Sequence, residues 1–401
     1  MCGVLQGRGL GLTRRAWLRV AAVGAASFVA ACSGFPSTDV FNQAPAPPVP
    51  QQQTTAIGTG QIRIALILPL SASGNAGLAA QSMKNAADMA LAEFQNPNIQ
   101  LLIKDDGGSA QGAQAATQQA LDEGAEVILG PLFAVSVGAA GQLARARGVP
   151  VIAFSTDTSV AAKGVYLLSF LPESDVDRVV DYAIANGKRS FAGLIPDNAY
   201  GTVVEAEFRQ VVARKGGRVV ALERYSPGDR QRMQEPLRRG AEAARQADTI
   251  FIPDGAEAVP TVVAELGGGG QRRQQLIGTG LWDDPRIFSD PALQGGWYAA
   301  PDLAGFRNFS GRYRARFGQE PVRTATLAYD AVSLVAALVK TQGAQRFSEE
   351  VLTNPSGFSG TDGIFRFRPD GTNQRGLAVL RVTTSGPQIV SPPPKAFGTG
   401  T

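Results

Sequence analysis

The chain has 401 residues, and its 38 basic and 34 acidic side chains give a formal net charge of +4 at neutral pH. It contains no histidine, which excludes catalytic triads and metal sites built on imidazole. Its 2 cysteines, Cys2 and Cys32, both lie near the amino terminus. A domain that follows them has no disulfide and depends on a large apolar core for its stability.

The first 31 residues have the pattern of an export signal. Arg14 and Arg15 precede an apolar run over residues 20–31, which is too short for a stable membrane-spanning helix. The ending Val29-Ala-Ala-Cys32 resembles the lipobox of bacterial lipoproteins, and the basic pair resembles a twin-arginine motif. The resemblance implies cleavage before Cys32, which then carries the lipid. A general export signal and an uncleaved membrane anchor are the alternatives.

The leader also accounts for the excess positive charge. Four of the 38 basic residues and none of the 34 acidic residues precede Cys32, so a cleaved chain carries 34 of each. A neutral chain gives no electrostatic argument for a nucleic-acid partner. Residues 32–60 are rich in proline and glutamine and predict a disordered tether between the lipid and the domain.

An alternating pattern of apolar strands and helices begins at Ile62. We predict strands at 62–68, 99–103, 127–129 and 149–154, and helices at 83–94, 109–123 and 135–147. Short, nearly continuous apolar strands that alternate with helices indicate a parallel sheet covered on both faces.

The same pattern starts again at Ser190. We predict strands at 190–195, 218–222, 249–252 and 275–278, and helices at 202–214, 231–246 and 256–266. Two arrays of this length exceed what a single core usually organises, so the fold class is α/β with two doubly wound, Rossmann-like lobes and a cleft between them. The alternative is one doubly wound sheet with insertions.

From residue 306 the regular alternation of strands and helices stops. Helices are predicted at 306–317 and 324–340, the second with a broad apolar face. Strict alternation over 362–368, a turn at 369–371 and a further apolar run at 376–382 predict a β-hairpin.

Several segments resemble the type I periplasmic binding proteins of the Leu/Ile/Val-binding class. The residues that carry the resemblance are Tyr313-Arg-Ala-Arg-Phe317-Gly318-Gln-Glu-Pro321, Thr326-Leu-Ala-Tyr329-Asp330-Ala331-Val332, Gly148-Val-Pro150-Val-Ile152 and Asp197-Asn-Ala-Tyr200-Gly201. It covers about residues 61–385 and implies three crossings between the lobes, near residues 171–172, 297–298 and 341–345.

These crossings divide the chain into five parts. We predict a signal peptide at 1–31, the tether at 32–60, and a tail at 391–401. The amino-terminal lobe takes 61–172 and 298–340, and the carboxy-terminal lobe takes 173–297 and 341–390.

In open parallel sheets, ligands bind beyond the carboxyl ends of the strands. In the first lobe the candidates in these loops are Ser71, Ser73, Leu132, Phe133, Ser155 and Thr156. The family likeness implies that Ser155 and Thr156 hold an amino-acid carboxylate. The alternative role is a plain helix N-cap for Ser73, and capping of the next segment for Ser155 and Thr156.

In the second lobe the candidates are Tyr200, Asp254 and Trp282. Tyr200 is predicted to form an aromatic wall over the ligand. The resemblance to the family implies that Asp254 forms an ion pair with an ammonium group of the ligand. A plain turn at Asp254, and packing of Trp282 in the hinge, are the alternatives.

Nothing in the sequence points to catalysis. There is no nucleophile elbow, no phosphate loop and no Cys/His metal spacing. The adjacent carboxylates Asp105 and Asp106 are predicted to be a solvated strand end. We therefore expect no enzyme activity, no cofactor and no metal.

The predicted function is a lipid-anchored solute-binding protein in the periplasm of a Gram-negative bacterium, held at its inner or outer membrane. It binds an amino acid or a similar small polar ligand between the lobes and delivers it to an ABC permease. A second resemblance, at Ile128-Leu-Gly-Pro-Leu-Phe133, Gly164-Val-Tyr166 and Phe170-Leu-Pro172, is to penicillin-binding protein activators. It implies the alternative function, a lipoprotein that stimulates a peptidoglycan synthase.

Overall fold

The computed structural model describes residues 55–95, 97–228, 230–267 and 274–397. The predicted signal peptide, the lipidation site Cys32 and most of the predicted tether lie outside the described residues. In the described part, no helix has the length and apolar character needed to cross a membrane.

The strands and helices are numbered in chain order. The strands are β1 (Thr55–Ile57), β2 (Ile62–Leu68), β3 (Ile99–Asp105), β4 (Val127–Leu129), β5 (Val151–Ala153), β6 (Val165–Leu167), β7 (Ser190–Pro196), β8 (Arg218–Tyr225), β9 (Thr249–Phe251), β10 (Gln275–Gly278), β11 (Trp297–Ala300), β12 (Phe358–Gly360), β13 (Gly363–Phe367), β14 (Asn373–Arg375), β15 (Ala378–Thr383) and β16 (Gly386–Ser391). The helices are α1 (Gly74–Glu93), α2 (Ala110–Asp122), α3 (Ala134–Ala146), α4 (Pro172–Ala185), α5 (Ala199–Arg214), α6 (Arg230–Ala244), α7 (Val259–Glu265), α8 (Pro285–Phe288), α9 (Leu303–Phe317), α10 (Ala325–Thr341) and α11 (Glu349–Leu352).

Two sheets form the two lobes, and each contains a parallel array of five strands with the same internal order, extended at one edge by antiparallel strands. The first sheet has the order β1-β3-β2-β4-β5-β6, and the second has β16-β15-β11-β10-β9-β7-β8. In each sheet the first strand of the parallel array lies between the second and the third, which makes both sheets doubly wound. The predicted fold class is confirmed. Strands β6 and β11, which each complete one of the two parallel arrays, were not predicted.

Helices α9 and α10 return to the first lobe after the second sheet is built. The apolar face of α10 packs on α1 and joins the core under the first sheet through Leu327, Val332 and Val335, which are all buried. Phe309 and Tyr313 of α9 form a small satellite core with Ala86 and Met89 of α1.

The predicted hairpin is wrong. Strand β13 pairs with β12 and β14 in a small antiparallel sheet, whereas β15 joins the second lobe between β11 and β16. The sequence of β13 alternates and β15 is a nearly continuous apolar run, and neither pattern identifies the neighbouring strand.

The third crossing therefore lies later than predicted. Leu352 of α11 and Phe365 and Phe367 of β13 are buried in the core of the first lobe, while Leu377 is buried in the second. The chain changes lobe near Gly376 and not at 341–345, so residues 341–375 belong with the first lobe. The second crossing follows β11, at Pro301 and Asp302, a few residues after the predicted position.

Both predicted terminal segments are shorter than the sequence suggested. Strand β1 lies inside the predicted tether and pairs antiparallel with β3, where Ile57 packs against the core. At the other end, β16 ends at Ser391. The Phe397 ring then lies against Arg366 of β13, with its centre 4.7 Å from the guanidinium carbon Cζ. Residues 392–397 thus form a strap that connects the second lobe to the small sheet of the first.

Candidate functional site

A cleft of about 340 Å³ opens between the two lobes. The first lobe contributes side chains from the loop after β5, from the first crossing and from the turn before α10. The second lobe contributes α4, the first turn of α5 and the loop after β10. The lining residues are Thr156, Phe170, Pro172, Asp175, Tyr200, Gly280, Leu281, Asp283, Ala300, Pro301, Leu303 and Arg323.

Tyr200 stands on the second-lobe wall, at the start of α5. Asn198 caps this helix by accepting a hydrogen bond from the Gly201 amide at 2.8 Å, which fixes the first turn. The Tyr200 hydroxyl lies 2.8 Å from Thr279 Oγ1, within hydrogen-bonding distance. Burial, followed by the nearby charge of Asp175, raises the pKa of Tyr200, so the phenol stays neutral at any physiological pH.

Asp175 is a half-buried carboxylate in the same wall. Its Oδ2 accepts a hydrogen bond of 2.9 Å from the Gly280 amide, which ties α4 to the loop after β10. Burial raises the pKa of Asp175 to about 7, with a further contribution from the charge of Glu173. Its protonation state therefore changes near neutral pH.

Asp283 is the second carboxylate of the cleft. The hydroxyl of the buried Tyr298 donates to its Oδ1 at 3.1 Å. Burial raises the pKa of Asp283, and this effect outweighs the Tyr298 hydrogen bond and the charges of Arg323 and Arg307, which act in the opposite direction.

Arg323 faces these carboxylates from the first lobe, but it is already paired. Its Nη1 donates to Asp362 Oδ2 at 2.9 Å and its Nη2 donates to Oδ1 at 2.7 Å. The two faces of its guanidinium lie 4.6 Å from the ring centres of Phe170 and Phe306. The Asp362 carboxylate is fully buried, so this ion pair is a fixed part of the first lobe.

Phe170 forms the floor of the cleft next to the first crossing. Arg323 covers one side of the ring at 4.6 Å, and Arg375 approaches at 4.7 Å. Arg375 is buried, and its Nε donates to the Ser169 carbonyl at 2.8 Å, which links the first crossing to the third. The floor of the cleft is therefore fixed by contacts between two crossings.

Two of the nine predicted ligand contacts line the cleft: Thr156 and Tyr200. Ser155 is buried, and its Oγ accepts from the Asp157 amide at 3.1 Å, as in an ordinary turn. Asp254 accepts a hydrogen bond of 2.7 Å from the Tyr225 hydroxyl and another from the Gly255 amide. Its carboxylate is thus occupied within the second lobe.

The other first-lobe candidates lie around the loops after β2 and β4. Ser71 and Ser73 are exposed, and Ser73 precedes α1 without a side-chain capping bond. Leu132 packs against the first-lobe core, and Phe133 precedes α3 with its ring against Gly108.

Trp282 is not a cleft residue, and its prediction as a ligand contact is wrong. The side chain is fully buried in the second-lobe core, and its Nε1 donates to the Ile252 carbonyl at 3.0 Å. A ligand cannot reach an indole that has neither exposed surface nor a free donor. The neighbouring Asp283 faces the cleft instead.

Sequence reasoning also missed Asp175 and Arg323 as cleft residues. Asp175 lies in the first turn of an amphipathic helix, where acidic residues are common for capping alone. Arg323 lies before α10, between the two late segments that carry the family likeness, and its place between them could have marked it as a candidate.

Asp106 also differs from its predicted role. It is buried and accepts a hydrogen bond from the Gly108 amide at 2.9 Å, and burial raises its pKa. It therefore holds the loop before α2 and is not a solvated strand end. Among the described residues, no group of three or more Asp, Glu, Cys or His side chains is arranged to hold a metal ion.

The family model described as "Periplasmic binding protein" matches residues 61–387 of the chain. Among solved structures, the chain is similar to a putative branched-chain amino acid ABC transporter protein from Rhodospirillum rubrum. That similarity has a TM-score of 0.73 and 20% identity, and covers 82% of this chain and 99% of the other.

Two further structures carry bound ligands. A solute-binding protein from Rhodopseudomonas palustris in complex with 3,4-dihydroxybenzoic acid has a TM-score of 0.59 and 20% identity, and the similarity covers 85% of this chain and 98% of the other. A branched-chain amino acid binding protein from Streptococcus pneumoniae in complex with isoleucine has a TM-score of 0.56 and 18% identity, with 82% and 99% covered. A curated protein from Rickettsia prowazekii is 21% identical over 165 residues, which span 41% of this chain and 43% of that relative.

Proposed function

Because the chain belongs to the periplasmic binding protein family, we propose that it is a non-enzymatic solute-binding protein that captures a small polar ligand for an ABC transporter. The observation that carries the proposal is the cleft, which takes polar side chains from both lobes. Neither lobe alone presents Tyr200 and Asp283 opposite Thr156 and Arg323. A ligand that contacts both walls favours the closed arrangement, because the open one loses half of those contacts.

The ligands of the structural neighbours set the range of candidates. One relative holds isoleucine and another holds an aromatic acid. Both are small molecules with polar groups, and a cleft of about 340 Å³ has room for a ligand of that size.

Thermal unfolding with pooled solutes tests the proposal. A ligand that binds only the native state stabilises it by about 2.7 kcal/mol at 100 times Kd, which corresponds to a shift of roughly 5 °C for a chain of this size. Amino acids, amines, aromatic acids and polyols form the pools. The absence of a shift with every pool would count against a solute receptor.

We also propose that Cys32 is the lipid attachment site and that residues 33–54 separate the lipid from the domain. The support is the sequence Val29-Ala-Ala-Cys32 after a basic and apolar leader. Expression of the full chain tests this: the native protein is expected in the membrane fraction, and Cys32→Ser in the soluble fraction. Equal distribution of the two would contradict lipidation.

The alternative function, stimulation of a peptidoglycan synthase, stays a prediction. This function requires contact with a synthase and not the capture of a solute for transport, so the two functions differ in a measurable way. Purified protein that binds no pooled solute but raises the rate of a synthase would favour the regulator.

A further inference from the structure

We infer that the cleft selects a small organic cation, with a protonated amine and no carboxylate. The inference rests on the proposed function, since it names the ligand class of the same cleft. It is carried by the charges that line the cavity and by the partners that those charges already have.

Both carboxylates of the cleft keep one oxygen free for a ligand. Asp175 Oδ2 accepts from the Gly280 amide, and Asp283 Oδ1 accepts from the Tyr298 hydroxyl. Within the described ranges, Asp175 Oδ1 and Asp283 Oδ2 have no hydrogen-bond donor. Both side chains belong to the second lobe, flank the same short loop and line the cavity, so a ligand in the cleft faces an acidic wall.

Arg323, the cation that lines the cleft, does not balance this charge. Its two Nη atoms are both bonded to Asp362, and its faces are covered by Phe170 and Phe306. The buried Asp362 carboxylate therefore already neutralises most of the positive charge that Arg323 brings to the cavity. Arg307 is near enough to influence Asp283, but it does not line the cavity.

Of the two side chains predicted to bind a ligand carboxylate, Ser155 already has a hydrogen-bond partner within the first lobe. Ser155 is buried and turned toward the Asp157 amide, so Thr156 alone offers a hydroxyl to the cavity from that loop. An amino-acid zwitterion would therefore find an acidic wall for its ammonium group and little for its carboxylate.

The aromatic wall fits the same ligand class. Tyr200 lines the cleft with its hydroxyl held by Thr279, beside Asp175. A cation placed between a carboxylate and a tyrosine ring gains from both, because the ring face is electron-rich.

Matched probes that differ only in their charged group test the inference. We would titrate the domain with 3-methylbutylamine, leucine and 4-methylpentanoate, and with benzylamine and benzoate, by calorimetry and thermal shift. Amines are expected to bind at least about 10-fold more tightly than the matched zwitterion or acid.

Variants locate the interaction. Asp283→Asn is expected to weaken amine binding at least about 10-fold, because it removes one charge without changing the shape of the side chain. Asp181→Asn is the matched control, since this exposed second-lobe aspartate pairs with Lys215 away from the cleft.

The outcomes separate the two proposals. Tighter binding of leucine or benzoate than of the matched amine, or an unchanged amine affinity in Asp283→Asn, would overturn the inference and leave the solute receptor in place. No binding by any probe or pooled solute would count against the receptor itself, and the inference would fall with it.

Discussion

Arg323 and Asp362 form a bidentate ion pair at the edge of the interlobe cleft, with hydrogen bonds of 2.9 and 2.7 Å. The arginine comes from the turn before α10 and the aspartate from the turn before β13, 39 residues later in the chain. Thr326 also donates to Asp362, at 2.6 Å. The pair therefore joins the late helix to the small sheet and gives the first-lobe wall its shape.

We expect Asp362→Asn to lower the free energy of unfolding by about 2–4 kcal/mol, because it leaves a partly buried guanidinium without its counter-ion. Urea unfolding measures this change. The control is Glu320→Gln, which breaks the exposed pair with Arg314 and should cost less than about 1 kcal/mol. Equal losses in the two variants would contradict a structural role for the Arg323–Asp362 pair.

Asp175 should make the domain less stable as the pH rises. Its pKa is about 7 in the folded chain and near 3.8 when exposed, so the folded state binds the proton more tightly. The titratable groups near Asp175 are Glu173 on its own helix, which carries a charge, and Tyr200 on α5, which stays neutral.

Asp175→Asn removes that proton linkage and keeps an acceptor for the Gly280 amide. We expect the variant to be more stable than the native protein, by a margin that grows from about pH 4 to about pH 7 and is constant above pH 7. Thermal melts in matched buffers measure the margin. A margin that shrinks with rising pH would show that the carboxylate is not buried as described.

Tyr200→Ala should weaken ligand binding without unfolding the domain. The substitution removes the aromatic wall of the cleft, and the capping bond from Asn198 to Gly201 is independent of it. We expect a loss of about 10-fold or more in affinity, measured by calorimetry with any solute that raises the midpoint of unfolding.

Tyr200→Phe separates the ring from the hydroxyl, because it removes only the bond to Thr279. It should retain most of the affinity. An unchanged affinity in the alanine variant would place the ligand away from this wall.

The strap over residues 392–397 should restrict the relative motion of the lobes. Arg178 on α4 holds its start through Ser391 Oγ at 2.6 Å, and Phe397 holds its end against Arg366. Three consecutive prolines, Pro392 to Pro394, keep the segment extended.

Phe397→Ala is therefore expected to broaden the distribution of distances between spin labels placed on the two lobes. Lys395→Ala, in an exposed part of the same strap, is the control and should leave the distribution unchanged. Identical distributions in the two variants would show that the strap does not restrain the hinge.

Local patterns in the sequence were sufficient for most of the elements. The apolar runs at 62–68 and 190–195 and the apolar face of α10 appear in the structure at nearly the predicted positions. Side-chain periodicity reports which face of an element is buried, and that information is contained in neighbouring residues. The repeated strand and helix pattern likewise determined that there are two doubly wound lobes.

The tertiary structure alone decided which elements become neighbours and which side chains reach the cleft. The apolar run of β15 follows β13 closely, as a hairpin partner would, but it pairs with β11, because the chain changes lobe at Gly376. Trp282 and Asp283 are adjacent in the chain, yet one fills the core and the other lines the cavity. Asp175, Asp283 and Arg323 line one cavity only because the chain returns to the first lobe at the second crossing, and contacts between distant segments leave no periodic signal in the sequence.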